Sequence, residues 1–348
     1  MRISLKNWEI ACRLQAETPV ADLHMDLPGE LLFRRRRGQR HVIAGRYLPL
    51  WRKAGISLIG AAVYVEDENL PEGALRSVLL QIEALKEEIE EAEGAVHLIR
   101  KQADLEPAYD KSSVGLLLYL EGLDCIGTDT GLLSLLSELG VRGASLVWSR
   151  QNLLACGCCR AYDKRDIRGR LTEAGIDAVH KMKELHMFLD ISHLNDEGAE
   201  EVLTGADIPV LATHSNAREV YFHYRNLTRG QIDLLSDRGG IIGLNACSLL
   251  TGSARDGRHL ELLQKHGRYL ADQAGADHVA LGLDLCRNYE LARRELPANQ
   301  FRGTDALPDQ GELGLLTAAL LEAGISPQTM KKILGENVFA FLRRVLPQ

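Results

Sequence analysis

Side chains able to hold a metal or move a proton stand at the ends of short apolar runs in this chain: His24, Asp26, Glu121, His193, His214 and Asp284. His24 and Asp26 are two residues apart, so on a strand both point to the same side and can face one cation. An imidazole and a carboxylate suit Zn²⁺ and related metals. Glu121 closes the run Gly-Leu-Leu-Leu-Tyr-Leu. A carboxylate at the end of a buried strand needs a partner, either two cations that it bridges or a core ion pair. His193 and His214 end consecutive runs, and neighbouring strands would bring both to one metal. Asp284 ends the last run, where it is placed to take a proton from an activated water and return it to a leaving amine, or else to cap a helix. Taken singly, each of these residues has an ordinary structural use. Their joint placement at one strand edge is what points to chemistry. Three imidazoles and three carboxylates suffice for two metals and a general base, with the pKa of bound water lowered from about 15.7 towards about 7. That equipment hydrolyses an amide without a covalent intermediate.

The elements that must position these groups are eight strand-length runs: 20–27, 56–65, 114–121, 144–148, 187–192, 209–214, 240–245 and 278–284. Several are apolar on both faces, as strands of a covered parallel sheet should be. Helical periodicity lies between them. In 74–93, Leu75, Val78, Leu79, Ile82 and Leu85 form a stripe opposite an acidic face. Further helices are predicted over 172–185, 260–273, 313–323 and 327–345. This alternation predicts an α/β fold, a TIM-like (β/α)8 barrel forming one domain over residues 1–348, with a doubly wound open sheet as the rival. Barrel enzymes carry their sites at the C-terminal ends of the strands, where the candidate residues fall. The polar stretch 288–311 reads as a long loop after the eighth strand, a candidate lid.

The 348 residues are 45% hydrophobic and 26% charged, with a formal net charge of −7. That acidic balance argues against nucleic acid as a partner. The seven cysteines are odd in number, and Cys156, Cys158 and Cys159 are bunched, which is unlike a secreted disulfide framework. Neither a signal-peptide pattern nor a membrane-length apolar run is evident, so the expectation is a cytoplasmic protein with no membrane partner.

The order His-x-Asp, Glu, His, His, Asp resembles the renal (membrane) dipeptidase family. Supporting stretches span nearly the whole chain: His24-Met-Asp-Leu-Pro28, Gly140-Val-Arg142, Leu171-Thr-Glu-Ala-Gly175, Leu189-Asp-Ile-Ser-His193, Thr213-His-Ser-Asn216, Arg225-Asn-Leu227, Asp277-His-Val-Ala-Leu-Gly-Leu-Asp284 and Leu334-Gly-Glu-Asn-Val338. The resemblance implies a barrel with two zinc ions per chain, usually a homodimer, acting on a dipeptide-like small molecule. It implies that His24 and Asp26 bind one zinc, that His193 and His214 bind the other, and that Glu121 bridges them. Asp284 would be the catalytic acid/base. Arg225 would pair with the substrate's C-terminal carboxylate, a task suited to a guanidinium fork.

Two departures bear on the substrate. Trp148 stands where the family pattern carries a histidine near the scissile carbonyl, and Arg150 or Asn152 is the substitute donor the sequence offers. After Asp284 the family reads Phe-Asp-Gly, whereas this chain reads Leu285-Cys286-Arg287. These departures keep two other readings open beside a zinc dipeptidase. One is a related amidohydrolase acting on another small amide, such as an N-acyl amino acid. The other is a catalytically weak barrel that binds a ligand. The thiols at Cys156, Cys158 and Cys159 are expected to be free loop thiols, with Cys286 a further member of any soft-metal cluster. Arg34–Arg37 reads as a solvated loop or a steering patch for acidic substrates.

Overall fold

The computed structural model describes residues 2–158, 169–252, 258–294 and 305–348. Nine strands form one parallel sheet: β1 (Val20–Met25), β2 (Ile56–Tyr64), β3 (Val96–Leu98), β4 (Val114–Glu121), β5 (Gly143–Ser145), β6 (Phe188–Asp190), β7 (Val210–Leu211), β8 (Ile242–Leu244) and β9 (Val279–Leu281). The path runs β7-β6-β5-β4-β2-β1-β9-β8, with β3 pairing the start of β4. A parallel bridge from Ala212 to Ile242 joins β7 to β8 and closes the ring. That bridge decides between the two expected architectures: the fold is a (β/α)8-type barrel and not an open sheet. All eight expected runs carry a strand, several of them shortened. β3 was not expected, since three residues are too few to show a period.

The strands are buried along nearly their whole length, which is why their sequences alternate so little. Leu117 and Tyr119 of β4 lie in the same apolar cluster as Leu23 of β1, Leu58 of β2 and Ala280 of β9. The C-terminal helix Asn337–Val345 contributes Val338, Phe339 and Leu342 to that cluster. Glu121 follows Tyr119 by two residues and so continues the same face towards the strand end.

The outer helices begin at side-chain caps. Thr172 accepts from Gly175 N, Asn195 from Gly198 N, and Thr228 and Gln231 form a capping box. In the helix Ala74–Glu91, Val78, Ile82 and Leu85 are buried as the periodicity predicts, but Leu79 is exposed.

Two expectations are corrected. Arg34–Arg36 end a helix, Leu27–Arg36, and do not lie in a loop. Arg35 is buried there against Glu87 at 2.5 Å, Glu88 at 2.8 Å and Glu91 at 2.9 Å, all on the helix Ala74–Glu91, so its charge is used inside the protein and cannot steer a substrate. The predicted loop 288–311 instead contains most of a helix, Arg287–Arg294, anchored by Tyr289, whose hydroxyl donates to Glu66 at 2.6 Å. The remaining central part of that stretch, residues 295–304, lies outside the described residues, as does Cys159.

Candidate active site

Parallel strands place all their C-terminal ends on one rim, and the expected residues meet there. His24 comes from β1, Asp26 from the turn after it, and Glu121 from the last position of β4. His193, His214 and Asp284 follow β6, β7 and β9. Glu121 is the hub. Its Oε1 lies 2.7 Å from His193 Nε2, 3.3 Å from His214 Nε2 and 4.0 Å from His24 Nε2. His24 Nε2 also lies 3.7 Å from Asp26 Oδ1 and 3.7 Å from Asp284 Oδ1. The Nε2 atoms of His193 and His214 are 3.0 Å apart.

Each imidazole is held from behind through Nδ1 by a hydroxyl: His24 by Tyr119, His193 by Ser149 at 2.9 Å and His214 by Thr213 at 2.7 Å. Behind Thr213 stands Asp190, whose Oδ2 accepts from Thr213 Oγ1 at 2.6 Å. Its Oδ1 accepts from Ser192 N, Ser192 Oγ and Thr213 N. The proton count then fixes a tautomer. The Thr213 hydroxyl donates its one proton to Asp190 Oδ2, so it must accept from His214 Nδ1–H. The lone pair of His214 is left on Nε2, facing Glu121 and His193. Such outer partners orient metal-ligating imidazoles. Backbone packing serves the same end, since a Cβ on Gly243 or Gly282 would stand 1.9 Å or 1.8 Å from Thr213 O. Only glycine allows the segment carrying His214 to lie so close to β8 and β9.

None of these outer residues was singled out from sequence, nor was Asp22. Asp22 Oδ1 accepts from His24 N at 3.3 Å and Leu283 N at 2.8 Å, tying β1 to the residue before Asp284. Its one sequence signal is the alternation Asp22-x-His24-x-Asp26. Burial pushes the Asp22 carboxyl up to about 6, against those two N–H bonds.

The electrostatics suit a cation. Burial raises Glu121 well above the usual carboxylate range and raises Asp284 as well, with His24 opposing both shifts. Burial, reinforced by Arg225 and His24, holds His193 and His214 well below the ordinary histidine value. They are therefore neutral imidazoles, the form that ligates metals. Burial opposes charge on His24 too, but Glu121, Asp26 and Asp284 outweigh it and push the group up to about 10. Asp26 precedes the helix Leu27–Arg36 yet makes no capping bond, and its Oδ1 is buried without a hydrogen-bond partner. Two triads bring ligand atoms within 4.8 Å of one another, His24–Glu121–His214 and His24–Asp26–Asp284. Converging Nε2 atoms, a central carboxylate and an orphaned carboxylate oxygen fit divalent metal.

A model of the membrane dipeptidase family (peptidase family M19) matches residues 9–347. This chain belongs to that family. It is 26% identical over 292 residues to the dipeptidase tcpJ of Claviceps purpurea, an alignment covering 82% of this chain and 65% of that protein. The chain thus spans just under two thirds of that relative's length. Among solved structures it is similar to dipeptidase AC, a metallo peptidase of the same family, with 29% identity and a TM-score of 0.82 over 95% of this chain and 99% of that one. It is also similar to a metallo peptidase from Rhodobacter sphaeroides, liganded with a phosphinate mimic of the dipeptide L-Ala-D-Ala. There the identity is 26% and the TM-score 0.81, over 94% of this chain and 99% of that one.

Around the rim, the other expected residues find distinct places. Arg225 is buried and donates to the carbonyls of Ser192 and His214 and to Ser215 Oγ. It pairs with no carboxylate among the described residues. Trp148 stacks on His193, with ring centres 5.6 Å apart and planes 26° apart, and also lies against Tyr64, ring centres 5.0 Å apart. It is therefore a wall of the site. The two substitute donors have other partners. Arg150 donates to Asp124, Asp67, Tyr64 and Val65 O. Asn152 donates to Leu146 O and accepts from Leu154 N and Ala155 N, so its amide shapes the loop after β5.

Proposed function

We propose that this protein is a dinuclear zinc dipeptidase. His24 and Asp26 would hold one cation and His193 and His214 the other, with Glu121 a ligand available to both. Zinc bound there supplies Lewis acidity and an activated water at neutral pH. Asp284 would hold a proton on Oδ1 and pass it to the leaving amine. The proximity of Oδ1 to His24 Nε2, 3.7 Å, puts the carboxylate at the cluster. Arg225 receives the substrate's carboxylate. A buried guanidinium without an ionic partner is costly on its own, and an incoming carboxylate relieves that cost. Trp148 closes the side of His193 and excludes water there.

The observation that carries this reading is the convergence of three Nε2 atoms on Glu121, with the orphaned Asp26 Oδ1 3.7 Å from one of them, His24 Nε2. A second reading, hydrolysis of another small amide such as an N-acyl amino acid, is favoured by Trp148. An indole stacked over His193 narrows the space on that side and brings no proton-transfer group. The test is metal content together with hydrolysis of dipeptides and N-acyl amino acids, on wild type and Asp284→Asn after zinc reconstitution. Two metals per chain, dipeptide turnover, and a fall of about 10²–10⁴-fold in the variant are expected. Two metals with turnover only of acyl amino acids selects the second reading. Two metals with no turnover on either substrate class selects a ligand-binding barrel, and no bound metal overturns all three.

A further inference from the structure

Two thiols at the rim are not used by the proposed reaction, and they cluster with Asp284, which is. Cys247 follows β8, Cys286 follows Asp284, and the three side chains bring ligand atoms within 4.8 Å of one another. The thiol of Cys286 lies 3.5 Å from Asp284 Oδ1 and within 4.8 Å of the thiol of Cys247. Zinc–sulfur and zinc–oxygen bonds of about 2.3 and 2.0 Å at a tetrahedral angle set sulfur and oxygen about 3.5 Å apart. The observed thiol–carboxylate spacing is therefore already the edge of a zinc-sized tetrahedron.

The backbone holds that edge in place. Asp284 adopts a left-handed conformation, φ 50°, which turns the chain so that Cys286 folds back beside the Asp284 carboxylate. Asn245 locks the other side: its Nδ2 donates to Asp284 Oδ2 at 3.0 Å and its Oδ1 accepts from Cys247 N at 2.6 Å. Asn245 is itself fixed by reciprocal bonds with Asn216. A second carboxylate, Asp305, is half-buried beside the pair and accepts from Arg287 N at 3.2 Å. Two thiols with a carboxylate, pre-ordered on rigid strand ends, make a site for a soft divalent cation.

We propose that Cys247, Cys286 and Asp284 form a third cation site, sharing Asp284 with the edge of the histidine cluster, that takes a thiophilic divalent ion such as Zn²⁺ or Cd²⁺ and inhibits the enzyme when filled. Binding releases the two thiol protons to solvent and forms two sulfur–metal bonds and one oxygen–metal bond, with no change of oxidation state. The binding follows from the geometry. The inhibition rests on the acid/base role of Asp284 proposed above, because a carboxylate that ligates the third ion cannot carry the proton.

The test titrates the zinc-loaded enzyme with Cd²⁺ while recording thiolate-to-cadmium absorption in the near ultraviolet and dipeptide turnover. Histidine and carboxylate ligands give no such band, so it reports the thiol site whether or not the dinuclear reading holds. The expected result is a band saturating at one equivalent, lost in both Cys286→Ser and Cys247→Ser and kept in Cys156→Ser. At least ten times more Cd²⁺ should be needed to halve the turnover of Cys286→Ser than that of wild type. A missing band, or one that survives both substitutions, overturns the site. A band with undiminished turnover overturns Asp284 as a ligand. Should the serine variants not fold, cadmium NMR of the wild type decides, since the chemical shift counts sulfur ligands: two are expected, and none or one overturns the proposal.

Discussion

Two groups of clustered carboxylates in this molecule have opposite fates. On the helix Ala74–Glu91, Glu87, Glu88 and Glu91 surround one guanidinium, that of Arg35. Their other oxygens are also used: Glu88 accepts from Ile43 N at 2.9 Å and Glu91 from His41 N at 2.7 Å. The chain satisfies this group from its own residues. At the barrel rim, Asp26, Glu121 and Asp284 surround His24, but Asp26 Oδ1 has no hydrogen-bond partner, and burial raises Glu121 and Asp284. Partner supply separates the two groups: the helix carboxylates range from the buried Glu88 to the half-exposed Glu87, yet all meet Arg35, whereas the largely buried rim carboxylates leave Asp26 Oδ1 without a hydrogen bond. A self-satisfied group is structure. A group whose donor set is left incomplete by the chain is built for something the chain does not contain.

The sharpest way to break this contrast is to neutralise one carboxylate on the rim and remove the cation on the helix. Glu121→Gln should lose metal and lower turnover by on the order of 10³-fold, a barrier increase of several kcal/mol. Its metal-free form should melt no lower than metal-free wild type, because the amide relieves a crowded buried charge. Arg35→Ala should do the reverse, costing about 3–5 kcal/mol of stability by stranding Glu88, which is fully buried. Metal content per folded chain should stay unchanged. Denaturant unfolding and metal analysis on both variants check this pair, and a rim variant that unfolds the apoprotein as severely as the helix variant would erase the distinction. A smaller effect tests the shell behind the rim. Thr213→Val removes the link between Asp190 and His214, and should weaken zinc affinity about 10–100-fold while leaving the fold intact. Chelator competition measures it.

What the sequence revealed about the two groups follows the same division. The rim was legible because strand alternation and strand-end placement are local: His24 and Asp26 share a side, and each remaining ligand closes its own apolar run. The hydroxyls behind the imidazoles were not, because Tyr119 and Ser149 reach their histidines, and Thr213 reaches Asp190, only through the side-by-side placement of strands separated in the chain. Arg35 misled for the same reason, since the glutamates that bury it lie on a later helix and its own neighbours read as a solvated basic run. Arg150 and Asn152 were near enough in sequence to Trp148 to suggest donors. Only the fold shows Arg150 tied to Asp124 and Asn152 tied to Leu146. The helix Arg287–Arg294 was read as loop because it sits in a stretch rich in Pro, Gly and Asn, and its amphipathic length is short.

The smallest expected effect is a difference in the sign of pH dependence. Hydrogen bonding to Arg35 holds the Glu91 carboxyl down, to about 2, against a small opposing effect of burial. A carboxyl whose folded value lies below its ordinary value stabilises the fold when ionised. The contribution of Glu91 is therefore present above the ordinary glutamate range and lost as pH falls towards about 2. Glu121 and Asp284 are raised in the metal-free fold, so their contributions run the other way: full in acid, and lost as pH rises from the ordinary carboxylate range through the raised values. Melting temperature against pH should separate the two. Metal-free wild type carries both slopes, Arg35→Met loses the acid limb, and Glu121→Gln flattens the upper one. Zinc reloading should flatten the upper limb in wild type as well, because a divalent cation stabilises the ionised carboxylates that burial alone disfavours. If zinc leaves that limb unchanged, the cation does not sit among these carboxylates, and the rim group would need the same kind of internal partner that Arg35 supplies to the helix.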